Sequence, residues 1–498
     1  MMRISRAPLS LALLVAMFML AAAPRADRED AARAFVRATR LFGEGKYADA
    51  YAAFHVVLDS DADDGSRSAR KGAVRSALYL SRFDAAHRDA SRLVDDAPDD
   101  AEALTLRGDA LWASGLFDEA DASYTQAVAI DPVSPRAEFG LARSLDSRGQ
   151  TSAALEHLAS AARRAPLDPE ICLQISDAYE RRFQYDVAER TLQTCIGLLP
   201  KRLRSGDVVQ NRLRLFRGFE GRQPAAIELT ASAQVTLPFR LVDDKVRVDG
   251  ELNGHHVEFV VDTGADRTAV TRRTAAGARL RTVTETLVTG VGQVGVQPVV
   301  IARADTLAFG PLKIRNLPVV IRNENGPDPL STTGDSFSPQ AAGFSMVVDY
   351  ARLEVTFART LPASVADVTL PLRIVRLPMV RGLLNQTHPA YFVVDTGGQM
   401  ISISTAIANR LDMTPPRRIM LNVWGTNGRD RDAFLLPGVD LTFEDIAYRR
   451  FGLAVLNLHA PSVLLGFEVG GILGHQFLQG YRVAMDLPRG QLRLQRVR

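Results

Sequence analysis

Two aspartates stand out because each closes an apolar run and opens a turn, in segments that repeat one another. Phe259-Val260-Val261-Asp262-Thr263-Gly264 returns as Phe392-Val393-Val394-Asp395-Thr396-Gly397, 133 residues later. Upstream, Thr236-Leu237-Pro238-Phe239-Arg240 returns as Thr369-Leu370-Pro371-Leu372-Arg373 at the same interval, so a whole module is duplicated without a gap. Duplication supplies the same carboxyl group twice. Two carboxyls about 3 Å apart cannot both ionise, so one serves as acid while the other serves as base. Other chemistries are poorly represented. Cys172 and Cys195 are the only cysteines and no His-Glu-x-x-His run occurs, so no metal is expected. Gly290-Val291-Gly292-Gln293-Val294-Gly295 has the glycine spacing of a dinucleotide loop. It runs into the strand-like Val296–Ile301 rather than the helix such a loop requires, so no cofactor is expected. His255 and His256 are adjacent on a strand and point to opposite faces, which prevents joint chelation.

Val-Val-Asp262-Thr263-Gly264-Ala265 resembles the active-site turn of aspartic proteases, in its retropepsin-like form. The resemblance covers 226–498. It includes Leu287–Gly292 at the place of a flap, and Gly471-Ile472-Leu473-Gly474 with Phe477-Leu478 at the place of the segment beneath the catalytic loop. Val483–Leu492 is similar to the closing hairpin of bacterial retropepsin-like domains. The first module carries Phe337-Ser338-Pro339-Gln340 instead of an Ile-Leu-Gly segment, and the second carries Gly398 after its triplet. What the resemblance implies is an all-β bilobal fold with modules at 226–360 and 361–498. Asp262 and Asp395 would form one dyad, braced by Thr263 and Thr396, with Gly264 and Gly397 permitting the tight turns. Gly290, Val291 and Gly292 in one flap, and Trp424 and Gly425 in the other, would contact substrate. The implied activity is peptide-bond hydrolysis through an activated water. The alternatives are a non-catalytic peptide-binding or scaffold protein, or two half-sites that each await a second chain.

The preceding 170 residues have a different texture. Pro98, Pro132, Pro166 and Pro200 stand 34 residues apart, as do Ala86, Ala120, Ala154 and Ala188, and Ala90, Tyr124, Leu158 and Leu192. Small residues that let two helices approach, a large apolar residue four positions on, and a proline ending the pair define a helix-hairpin unit. The pattern resembles the tetratricopeptide repeat, in about five units over 31–200, followed by a basic linker at 201–225. The concave face of such a stack commonly receives a peptide or protein partner, and a rigid spacer is the alternative. Cys172 and Cys195 fall on the two helices of the fifth unit, where a disulfide or two buried thiols are both compatible with the spacing.

Arg3 and Arg6, the apolar run Leu9–Leu20 and Ala21-Ala22-Ala23 read as a secretory signal peptide over 1–26. The expectation is an exported protein, periplasmic in a diderm bacterium, without a membrane-spanning segment beyond the signal peptide. Lys plus Arg total 60 against 57 for Asp plus Glu. A net charge of +3 on 498 residues gives no reason to expect nucleic acid as a partner. The fold expected is therefore multidomain, an all-α solenoid followed by an all-β acid-protease fold.

Overall fold

The computed structural model describes residues 25–60, 66–199, 204–229, 234–322, 334–413 and 418–497. Of the signal peptide expected over 1–26, residues 1–24 lie outside the described residues. Among the described residues no helix is long and apolar enough to cross a membrane. The chain divides into two compact units between Asp99 and Asp100. The first holds helices α1 (Arg25–Gly43), α2 (Tyr47–Leu58), α3 (Ser66–Tyr79) and α4 (Phe83–Asp96).

The second unit begins with three helix hairpins. They are α5 (Ala101–Ala113) with α6 (Phe117–Ile130), α7 (Pro135–Ser147) with α8 (Thr151–Arg164), and α9 (Pro169–Arg181) with α10 (Tyr185–Leu198). Caps explain why each hairpin starts and turns where it does. Asp100, Ser134 and Asp168, again 34 apart, accept hydrogen bonds from first-turn amides of α5, α7 and α9. The turn inside each hairpin closes through an amide reaching back five residues: Leu116 to Leu111, Gln150 to Leu145 and Gln184 to Tyr179. That closure needs a left-handed residue, supplied by Gly115 (φ 72°), Gly149 (φ 77°) and Phe183 (φ 59°). Tyr124 fills the groove because Gly108 and Gly140 make room. A Cβ on either would lie within 2.4 Å of its ring. Cys172 and Cys195, 5.6 Å apart at Cα, are joined by a disulfide that ties α9 to α10.

In the duplicated half, strands from both modules form one continuous layer. Gln234–Pro238, Glu354–Ala358 and Ser345–Asp349 of the first module meet Tyr481–Asp486, Gln491–Arg496 and Val368–Val375 of the second. The central antiparallel contact runs Met346↔Met485 to Asp349↔Arg482. Strands His255–Val261 and His388–Val394 each end at their aspartate. Their alternate side chains, including Phe259 and Phe392, are fully buried in the apolar core between the sheets.

The hairpins of the second unit pack directly on the β region. The Gly115 turn touches the second module: Glu468 N–H donates to Ala113 C=O at 2.8 Å, and a Cβ on Gly115 would lie 2.4 Å from Glu468 O. Gly149 similarly faces Leu487 O. Phe117 of α6 meets the rings of Tyr391 and Phe467 edge-on at 4.8 and 5.3 Å. Beside it, buried Arg373 reaches Asp118, Asp121, Ser147 and Tyr391. On the first module, Arg267 reaches Glu180 of α9 at 3.1 Å. Within the expected linker at 201–225, helix α11 (Asp207–Arg217) lies against strand Arg281–Val288, with Gly218 C=O accepting from Arg303 at 3.0 Å.

Candidate active site

The two Asp-Thr-Gly turns face one another across the join of the modules. Thr263 N–H donates to Thr396 Oγ1 at 3.2 Å, and Thr396 N–H donates to Thr263 Oγ1 at 3.1 Å. Each hydroxyl continues across the join: Thr263 Oγ1 donates to Val394 C=O, and Thr396 Oγ1 to Val261 C=O, both at 2.6 Å. Both threonines are buried. Four reciprocal bonds fix one turn against the other, because a buried hydroxyl or amide left unpaired would cost about 1–3 kcal/mol. The glycines then let each aspartate reach into the partner turn. A Cβ on Gly264 would lie 2.4 Å from the Asp395 carboxyl carbon, and one on Gly397 2.8 Å from Asp262 Oδ1.

Electrostatics follow from that enclosure. Burial, and then the neighbouring charge of Asp262, push the Asp395 carboxyl up to about 7, against the amides of Gly397 and Gly398, which donate to its Oδ1 at 2.8 and 3.0 Å. Burial also raises Asp262, opposed by the charge of Arg322, the Gly264 amide, Lys245 and the Ala265 amide. The two cations are unequal partners: Lys245 acts on both carboxyls, whereas Arg322 acts on Asp262. Burial thus raises both carboxyls, and their ionisation belongs to the pair.

Support beneath the two turns is built differently in each module. In the second, strand Gly471–Leu473 lies parallel to His388–Val394, and Leu473 C=O accepts from Asp395 N–H at 3.0 Å. The backbone then comes close enough for His475 N–H to donate to Gly398 C=O at 2.8 Å. A Cβ on Gly474 would sit 2.7 Å from the Gly398 backbone. In the first, Ser336–Phe337 takes the same place, parallel to His255–Val261, and Phe337 C=O accepts from Asp262 N–H at 2.9 Å. Ser338 stands where the second module has Gly474. Its hydroxyl donates to Ala265 C=O at 2.7 Å, and Gln340 Nε2 donates to Thr263 and Ala265 C=O at 3.0 and 2.7 Å. Side chains thus replace the backbone contacts that Ser338 prevents. Gly474→Ala is expected to destabilise the second turn by about 1–3 kcal/mol, whereas Ser338→Gly leaves the first turn short of a support bond. Urea titration of both variants checks this.

The residues expected in the two flaps meet tip to tip. Gly290, Val291 and Gly292 lie between strands Arg281–Val288 and Gln297–Phe309. Trp424 and Gly425 lie on a hairpin of Val423–Gly425 with Gly428–Asp430. Asn427 N–H donates to Val291 C=O at 3.0 Å, and Asn427 Nδ2 to Gly295 C=O. There is no room for a side chain at this contact: Cβ atoms on Gly292 and Gly425 would each lie 2.3 Å from a carbonyl oxygen of the opposite tip. Trp424 pairs with Arg429 on its hairpin and is about one-third exposed. His475 is buried beneath the second turn. Among the described residues no group of three or more His, Cys, Asp or Glu is placed to hold a metal ion.

Sequence reasoning did not single out Lys245, Arg322 or Ser336 as parts of this site. Ser338 and Gln340 had a signal: they occupy the place of the missing Ile-Leu-Gly segment. Arg322 had none in a single sequence, because it reaches the dyad only through strand pairing.

Residues 248–333 match the family model for aspartyl proteases, and residues 72–135 and 106–169 match the tetratricopeptide repeat model. The chain thus carries a stretch similar to tetratricopeptide repeats ahead of a stretch similar to aspartyl proteases. Among solved structures it is similar to a thermophilic tetratricopeptide-repeat protein of Thermus thermophilus, at 18% identity and a TM-score of 0.33, over 38% of this chain and 98% of that one. It is also similar to MamA from Desulfovibrio magneticus, at 15% identity and a TM-score of 0.26, over 36% of this chain and 98% of that one. A third likeness is YrrB, a tetratricopeptide-repeat protein with an unusual peptide-binding site, at 17% identity and a TM-score of 0.24, over 39% and 95%. No curated protein matches the chain.

Proposed function

We propose that the chain is an aspartic endopeptidase whose single dyad is Asp262 with Asp395. The observation that carries this reading is the reciprocal threonine bracing, which holds two half-buried carboxyls with raised, interacting ionisation in one place. In the proposed reaction a water oxygen attacks the peptide carbonyl carbon and gives one proton to the Asp262 carboxylate. Asp395 gives its proton to the carbonyl oxygen, forming a gem-diol. The reverse transfer then protonates the departing nitrogen as the carbon–nitrogen bond breaks, and the pair regains its single shared proton. Flap tips that close over the cleft would exclude bulk water. Incubation of the purified chain with a diverse peptide library tests the reading. Binding without cleavage would favour the scaffold alternative.

The pH dependence follows with a definite sign. Activity needs one proton on the pair, and that proton is lost as pH rises through the value of about 7 for Asp395. The expected profile of kcat/KM falls above neutrality, and apparent values belong to the pair. An alkaline limb centred below pH 5 would contradict the enclosure described for Asp395.

Export is proposed as well. The charged and apolar amino-terminal pattern supports it, and so does the Cys172–Cys195 disulfide, since such bonds persist in oxidising compartments. Cell fractionation against periplasmic and cytosolic markers is the check. The repeats, by the general use of such stacks, would recruit a protein substrate or partner.

A further inference from the structure

The walls flanking the two carboxyls differ in chemistry, although the modules that build them are related. Strand register identifies the matching positions. Val270 pairs with Ile321 in the first module as Ile403 pairs with Val455 in the second. Ser336 stands opposite Val260 as Ile472 stands opposite Val393. The positions equivalent to Ser336 and Arg322 are therefore Ile472 and Leu456. Beside Asp395 the wall is apolar. Leu456 is buried, and the Ile472 Cγ2 methyl lies 3.5 Å from where a Cβ on Gly398 would be. Beside Asp262 the same two positions hold a hydroxyl and a guanidinium, joined by an Arg322 Nη2–Ser336 Oγ hydrogen bond of 2.7 Å.

Arg322 is short of partners. A guanidinium carries five N–H donors, yet among the described residues its side chain makes only the Ser336 bond, and no carboxylate lies at ion-pair distance. Asp335, the other acid acting on it besides Asp262, is already engaged: its two oxygens accept from Thr271 N–H and Thr274 Oγ1, both at 2.7 Å. Burial correspondingly depresses the guanidinium below its ordinary range, against the attraction of Asp262 and Asp335. Lys245, half-buried at the start of strand Lys245–Leu252, adds a second positive charge on the same side. Arg322 is half-buried, so its remaining N–H donors can meet an incoming carboxylate in charge-assisted, bidentate hydrogen bonds.

We propose that Arg322 is a specificity residue that receives a carboxylate side chain of the substrate, so that the cleft takes peptides with Asp or Glu in the subsite beside Asp262 and an apolar residue beside Ile472. The proposal rests on the reading of the cleft as a peptidase site. It makes Arg322 a binding group, separate from the proton transfers of the dyad.

The test uses paired peptides that differ only by Glu against Gln at each position flanking the cleaved bond. Cleavage by the full chain is compared with that by Arg322→Gln and Arg322→Glu, after thermal melts show each variant to be folded. Wild type is expected to favour Glu over Gln by about 10- to 100-fold in kcat/KM at one position. Arg322→Gln should lose that preference, and Arg322→Glu should reverse it toward Gln. In parallel, calorimetry measures binding of both peptides to Asp395→Asn, with and without Arg322→Gln. Cleavage with no Glu preference, or a preference untouched by Arg322→Gln, overturns the role of Arg322 and leaves the peptidase reading intact. Selective binding of the Glu peptide that depends on Arg322, without cleavage by wild type, overturns the peptidase reading and upholds Arg322. Absence of both binding and cleavage overturns both.

Discussion

Replacing either Asp262 or Asp395 by asparagine is expected to lower kcat by at least about 10³-fold while the chain stays folded. In the proposed reaction the pair divides one proton between two carboxyls, so an amide at either place would leave no group able to take the water proton and return it. Each loss should be nearly complete by itself, and the double variant should be little worse than either single one. Stability should move the other way. Folding raises the Asp395 carboxyl to about 7, so the ionised form is the disfavoured one in the folded chain. The stability tied to this group is fully present below the unfolded carboxylate range and is lost as pH rises through about 7. Asp395→Asn removes that loss, and Asn Oδ1 can still accept from Gly397 and Gly398. At pH 8 the variant should therefore melt higher than wild type, and at pH 4 the gap should close. Stopped assays with calorimetric scans at the two pH values check both halves. Full activity in either single variant would exclude an intramolecular dyad.

Removing Arg373 is expected to cost about 1–3 kcal/mol, the range for buried polar groups that lose one hydrogen-bond partner. Its guanidinium bonds to Asp118 and Asp121 of α6, to Ser147 at the end of α7, and to Tyr391 of the second module. Arg373→Ala leaves buried Asp121 with Arg148 and Ser144 as its remaining partners and Asp118 with Arg381, and takes the cation from beside the Phe117 and Tyr391 rings. Arg373→Met keeps most of the apolar stem but still takes one cation from the two acids, so it should recover only part of the loss. The triple variant with Asp118→Asn and Asp121→Asn should recover more. Urea unfolding of the four chains measures the ordering. If Arg373→Ala unfolds at the wild-type midpoint, the contact between the hairpins and the second module contributes nothing to stability. The position also shows what duplication permits. Arg240, the counterpart of Arg373 in the first module, is exposed and pairs with Asp249 and Glu258 of its own module.

Some of this was written in the sequence as spacing. A helix hairpin repeats its small and large residues on a fixed period because each copy packs on the next, so residues 34 apart declare both the units and their turns. The Asp-Thr-Gly triplets did the same for the site. A turn that must bend tightly at the end of a buried strand restricts its residues locally, and a gap-free duplication preserves those residues at a constant interval. Even the weaker first-module segment, Phe337-Ser338-Pro339-Gln340, showed where support had to be found.

Tertiary structure decided the rest, because those contacts join residues that no period or interval relates. Arg373 lies more than 250 residues from Asp118 and Asp121, and neither a repeat nor a module requires them to meet. The threonines had the right spacing, but only the meeting of two modules in one layer turned them into donors and acceptors for each other. Arg322 is an ordinary charged residue after a strand until strand order brings it beside Ser336, on the wall next to Asp262. Cys172 and Cys195 were compatible with a bond or with two thiols until α9 and α10 packed and set their separation at 5.6 Å. Local patterns reveal what each segment must bury, whereas the charge and shape around the dyad depend on which buried faces finally meet.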